Sequence, residues 1–181
     1  MKTFEEMWVY SNNVYGAFEP TEAKIMYDIV VKLPERSVIV EIGSYFGRSS
    51  SLLGQIACEK DMEFTCIDNF VTTHEYKIVK PFFFENMDQI FIRYQLLPWF
   101  SRRGVHLFNN EEIDFLFIDG DHRYIGVKED CDLWIPKLKK GSFMCFHDYN
   151  SSWDGVKKAV DERLELEDRG VMQSMAVRIK K

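Results

Sequence analysis

The chain has 181 residues, 46% of them hydrophobic, which suits one domain with a substantial core. Its net charge of −6 argues against a nucleic-acid surface built from general basicity. No apolar run reaches the roughly 18 residues of a membrane-crossing helix, and Met1 to Tyr10 lacks the apolar stretch of a signal peptide.

Residues 1–19 read as a polar and aromatic leader. Pro20 opens a helix whose Ile25, Met26, Ile29, Val30 and Leu33 share one face, and Pro34 ends it. A strand, Val38 to Ile42, runs into Gly43, and Gly47 closes a turn. The next helix points Leu52, Leu53, Ile56 and Ala57 inward. A second strand covers Glu63 to Asp68.

Residues 69–104 are the least regular part. Met87, Ile90, Phe91, Tyr94 and Leu97 have helical spacing, and Pro98 stops them. Around them stand Phe70, His74, Tyr76, Phe82 to Phe84, Trp99, Phe100, Arg102 and Arg103. This block reads either as a substrate lid or as core and homodimer interface. A third strand is expected at Val105 to Phe108, followed by a tight link, Asn109 to Glu112. A fourth, Asp114 to Ile118, ends in Asp119-Gly120-Asp121-His122. An amphipathic helix then carries Val127, Cys131, Trp134, Ile135 and Leu138, with Lys139, Lys140 and Gly141 as its C-terminus. A fifth strand, Ser142 to Phe146, ends in His147-Asp148-Tyr149. Ser151-x-x-Asp154 opens a helix that buries Val156, Val160 and Leu164. Val171 to Ile179 reads as a final hairpin.

Strands alternating with helices imply a parallel sheet covered on both faces. Ligands then bind beyond the carboxyl ends of the strands. Glu41 to Gly47, Asp68, Asn109, Asp119 to His122, and His147-Asp148 all fall there. The first stretch is Glu-x-Gly-x-x-x-Gly, not the Gly-x-Gly-x-x-Gly that wraps a pyrophosphate. A glycine turn leading into a helix N-terminus suits a small anionic group. Cys58, Cys66, Cys131 and Cys145 show no zinc or redox spacing, so free thiols and a reducing, cytoplasmic compartment are expected.

Together, Glu41–Gly47, Ile118-Asp-Gly-Asp-His122 and His147-Asp-Tyr149 resemble the class I S-adenosylmethionine (SAM) methyltransferases. In particular, they are similar to small O-methyltransferases of the catechol, sugar and macrolide type. The resemblance implies a Rossmann-like α/β fold with strand order 3-2-1-4-5-7-6 and an antiparallel last strand. It implies SAM as cofactor and a hydroxyl of a small molecule or sugar as acceptor, with no nucleic-acid or membrane partner. Gly43, Ser44 and Gly47 would let the backbone approach SAM, with Phe46 and Asn69 as neighbours. Glu41 would draw the charged amino-acid end, and Ser49 would hold its carboxylate. Asp68 would bind both ribose hydroxyls, and Asn109 or Asn110 would meet the adenine amino group.

Asp119 occupies the place of an acid that in catechol-type enzymes binds both metal and the SAM ammonium. His147 and Asp148 fall where further ligands of a divalent cation such as Mg stand. His122 replaces the usual lysine base, and a histidine accepts a proton near neutral pH. Asp119, His122 and His147 are therefore the candidate catalytic residues. The same groups also fit a metal-free network that orients SAM, with His122 capping a helix. His74 and His106 read most simply as surface or structural. The link Asn109 to Glu112 leaves no room for the usual helix between strands three and four. That absence keeps a non-catalytic SAM- or S-adenosylhomocysteine-binding protein as an alternative. A nucleotide-cofactor oxidoreductase is disfavoured by the motif and the short length.

Overall fold

The computed structural model describes residues 1–71, 76–90 and 92–181. His74 and Phe91, and the side chain of Tyr76, lie outside the described residues. A seven-stranded sheet runs β3-β2-β1-β4-β5-β7-β6. β1 (Val38–Ile42), β2 (Glu63–Ile67), β3 (Gln95–Leu97), β4 (Ile113–Ile118) and β5 (Leu138–Phe146) are parallel. β6 (Leu166–Met172) and β7 (Met175–Lys180) form the closing hairpin, and β7 lies antiparallel to β5.

Helices cover both faces because β1 and β4 are apolar on both. Ile39, Phe115 and Phe117 pack on one side with α1 (Phe4–Ser11), α2 (Pro20–Val30), α3 (Arg48–Glu59) and α4 (Tyr76–Asp88). Val40, Ile42, Leu116 and Ile118 pack on the other with α6 (Tyr124–Trp134) and α7 (Asp154–Asp161). Near-continuous apolar strands of this kind need cover on both faces. Cys66, Cys131 and Cys145 are buried and all four cysteines are free thiols.

Five sequence expectations are corrected. The leader holds α1, opened by a Thr3–Glu6 capping box and burying Phe4, Met7, Trp8 and Ser11. Their i, i+3, i+4, i+7 spacing is the helical signal. The third strand is Gln95–Leu97, not Val105 to Phe108, and α4 precedes it, containing Pro81. A three-residue strand has too few positions to display a period of two. Moving β3 forward makes room for α5 (Ser101–Gly104) and a 3-10 turn, Val105–Leu107. The helix between strands three and four is thus shortened, not missing. Finally, α6 ends at Trp134, Pro136 lies in a 3-10 turn, and β5 takes over Lys139 to Gly141, while Leu164 is exposed.

Candidate functional site

A cleft of about 900 Å³ opens at the carboxyl ends of the parallel strands. Its floor is the turn after β1. Gly43 takes φ +86° and presses so close to β4 that an added Cβ would lie 2.0 Å from the Asp119 carbonyl oxygen. Gly47 takes φ +92° and starts α3, its N–H bonded to the Ser44 carbonyl. Only glycine enters that backbone region without strain.

Two carboxylates hold this turn. Asp68 Oδ2 accepts the N–H groups of Ser44 and Tyr45, each at 2.8 Å, and Oδ1 accepts that of Phe70 at 2.6 Å. Burial pushes the Asp68 carboxyl up, against the pull of those donors. Asp68 still lines the cleft, as do Gly43 and Asn69. Glu41 does not. Its side chain lies wholly beneath the turn and accepts hydroxyls from Ser44 at 2.8 Å, Ser49 at 2.6 Å, and Ser50. The expectation that Glu41 draws a ligand by charge is corrected, because strand alternation sends it under α3 rather than into the cleft. The Ser49 hydroxyl is turned the same way. Phe46 packs on Tyr15, Tyr45 and Phe82, outside the cleft lining.

The second half of the site gathers at β4 and β5. His122 Nε2 lies 2.7 Å from Asp148 Oδ2 and 3.9 Å from Asp119 Oδ1. The Asp148 hydrogen bond raises the His122 pKa above its ordinary value, and burial opposes it. Burial would raise Asp148, but His122 and His147 hold it well below the carboxylate range. The Trp153 ring stacks on His122 at 4.5 Å.

His147 is buried. Its Nε2 meets Glu22 Oε2 at 3.1 Å, and its Nδ1 stands 3.4 Å from both Asp119 Oδ1 and Asp148 Oδ2, outside hydrogen-bond geometry. Burial alone would lower its pKa, yet the surrounding carboxylates raise it far above the ordinary value. Among the described residues, Asp119, His122 and Asp148 are the set whose donor atoms lie within 4.8 Å of one another. The expected metal set placed His147 in the position that His122 takes. Glu22 and the edges of Phe18 and Phe117 hold the His147 ring.

Asn109 is also corrected. It lies on the loop before β4, at the amino end of the sheet, where its N–H bonds Glu112 at 2.5 Å. With β3 ending at Leu97, the matching place beyond a strand end belongs to Trp99 and Ser101, both on the cleft wall. Sequence reasoning named Trp99 only within the aromatic 69–104 block and missed Ser101, Glu22 and Asp130. Asp130 carried a signal, since its i+3 relation to Val127 puts a carboxylate on the buried stripe of α6.

Residues 40–149 match the Methyltransferase domain family. The chain belongs to this family. An uncharacterized protein of Sinorhizobium fredii is 30% identical over 118 residues, covering 61% of this chain but 13% of that protein. The chain therefore spans a small fraction of that curated relative. Among solved structures, a TDP-rhamnose 3'-O-methyltransferase of calicheamicin biosynthesis superposes with a TM-score of 0.64 at 17% identity, covering 97% of this chain and 92% of that one. A methyltransferase from Podospora anserina with bound S-adenosylhomocysteine gives 0.68 at 13% identity, covering 98% and 87%. These likenesses show the fold, a class I methyltransferase sheet.

In a methyltransferase domain so built, Asp68→Ala is expected to release the Ser44–Tyr45 turn and to weaken S-adenosylhomocysteine binding at least about tenfold. Titration calorimetry measures this. Unchanged affinity would remove Asp68 from the site.

Proposed function

We propose that this domain transfers a methyl group from SAM to a hydroxyl oxygen of a small molecule. The observation that carries the reading is the convergence of the Gly43 turn, Asp68, Asp119, His122 and Asp148 on one cleft in a chain of the methyltransferase family. The likeness to O-methyltransferases supports oxygen as the acceptor atom.

SAM carries its own electrophile and leaving group. The chain must bind it, align an acceptor and exclude water. The turn at Gly43 receives the amino-acid end, with Asp119 facing its ammonium, and Asp68 and Asn69 stand toward the ribose. The His122–Asp148 pair is placed to take the acceptor's proton at His122 Nδ1, because Nε2–H donates to the ionised Asp148, which stabilises the imidazolium that results. Glu22 fixes His147 from behind, so its charge faces Asp119 and Asp148.

The donor set of two carboxylates and one imidazole also fits a divalent cation held by Asp119, His122 and Asp148. When bound, such an ion would supply Lewis-acid activation of the hydroxyl.

The test is calorimetry against SAM and NAD, then methyl transfer to a metabolite panel with EDTA or with Mg. NAD binding without SAM binding would sink the proposal. His122→Ala is expected to lower turnover about 10²- to 10⁴-fold. As proton acceptor, His122 must be deprotonated. The wild-type rate should then rise with pH through a value above 6.5, a limb the variant lacks. If His122 serves instead as a metal ligand, EDTA reproduces the loss in the wild type.

A further inference from the structure

Trp153 has no part in the mechanism above, yet its indole lies on the His122 ring, with planes inclined by 30°. It ends a 3-10 turn, Ser151–Trp153, that follows β5 and leads into α7. The residue is 45% exposed and belongs to neither apolar core cluster, so burial gives little reason for a large aromatic side chain here. It also stands outside the cleft lining, whereas His122 is part of that lining. Its action on a ligand therefore passes through His122.

His122 sits on an irregular loop between β4 and α6. Its Nε2 has two carboxylates within reach, Asp148 Oδ2 at 2.7 Å and Asp119 Oδ1 at 3.9 Å. One hydrogen bond fixes a point and not a plane, so on that bond alone the imidazole is free to pivot and to exchange Asp148 for Asp119. A stacked indole fixes the plane. The backbone of the loop is gripped from the same side. A Cβ added at Gly155 would lie 2.6 Å from the Tyr124 nitrogen and 2.7 Å from the His122 carbonyl oxygen. Tyr124 donates its hydroxyl to Glu162 at 2.6 Å, and Lys158 Nζ lies 4.7 Å from the centre of its ring. The segment after β5 thus holds both the backbone and the ring of the segment after β4.

We propose that Trp153 is a positioning residue, whose indole keeps the His122 imidazole in the plane where Nε2–H stays on Asp148 and Nδ1 is left for the acceptor's proton. The inference rests on the methyl-transfer reading above. The indole face also attracts the imidazolium that forms as the proton arrives, more strongly than it attracts the neutral ring.

Variants at Trp153 separate stacking from bulk. Trp153→Leu keeps an apolar side chain without a ring, and Trp153→Phe keeps a ring. Proton NMR on protein with isotope-labelled histidine reads the Nε2–H of His122, which is visible when its exchange with water is slow; His122→Ala assigns the signal. The wild type and Trp153→Phe are expected to show this proton, and Trp153→Leu to lose it. With the hydroxyl acceptor that the metabolite panel returns, kcat of Trp153→Leu should fall about three- to tenfold. The acceptor KM, and the S-adenosylhomocysteine affinity read by calorimetry, should stay at their wild-type values. Trp153→Phe should recover most of the lost turnover. Persistence of the Nε2–H signal in Trp153→Leu, its absence from the wild type, or a loss of kcat that Trp153→Phe does not recover overturns the proposal and leaves the SAM reading standing. If the wild type does not bind S-adenosylhomocysteine, the SAM reading fails, and the role of Trp153 in methyl transfer falls with it. Should Trp153→Leu fail to fold, Trp153→Gln, ringless and suited to a half-exposed position, is read in its place.

Discussion

Gly43→Ala is expected to cost about 3 kcal/mol or more of stability and to abolish cofactor binding. The added Cβ would lie 2.0 Å from the Asp119 carbonyl oxygen, 2.5 Å from its carbonyl carbon and 2.9 Å from Gly120 Cα. All three are backbone atoms, so no side-chain rotation relieves the overlap. The Asp119 N–H bonds the Ile42 carbonyl at 2.8 Å, and the Gly43 N–H bonds the Ile67 carbonyl at 2.9 Å. Relief would require parting β1 from β4 or from β2, where the central strands of the sheet end. Asp119 would move with that separation. For a chain of this size the melting temperature should fall by about 10 °C. Gly141→Ala is the control. It has a similar φ of +83° with nothing within 4 Å of the added carbon, so it carries the backbone penalty alone, about 1 kcal/mol. Equal losses in the two variants would show that backbone strain, not the approach to Asp119, makes Gly43 necessary.

The second large effect concerns Glu41 and pH. Burial lifts its carboxyl from 4.5 to about 7, although the hydroxyls of Ser49, Ser50 and Ser44 pull the other way. The folded chain thus holds this proton more tightly than the unfolded chain. The stability it confers is complete below about 4.5 and is lost as pH rises through about 7. Glu41→Gln cannot ionise and escapes that loss. The melting temperature of the variant minus that of the wild type should therefore climb between pH 4.5 and 7 and then level off. The total swing is on the order of 3 kcal/mol, since the group is fully buried. Thermal melts of both proteins across that range measure it. A flat difference would mean that Glu41 is ionised in the folded chain throughout, with the serine hydroxyls offsetting its burial.

Glu41 also shows how a motif can be legible while its role is not. Its place before Gly43 marks the turn in the sequence. Only the structure shows that it supports the turn from below while Asp68 clamps it from the side. The same division recurs around the cleft. The acids and histidines after β4 and β5 were readable because short, consecutive segments placed them at strand ends. Glu22 was not readable in this way, because it meets His147 across 125 residues of chain and looks locally like a helix cap. The cleft wall beyond β3 was misplaced because β3 is three residues long and follows a helix whose apolar spacing invites extension through Leu97.

The resemblance of its motifs implied the strand order, and by itself the sequence determined the sheet class and the glycine turn after β1. Those depend on periodicity and on backbone conformations that particular residues permit or forbid. The tertiary structure decided which carboxylates face the cleft, which histidine joins Asp119 and Asp148, and which residues follow β3. Those depend on side-chain direction and on contacts between segments far apart in the chain, where local propensity has no influence.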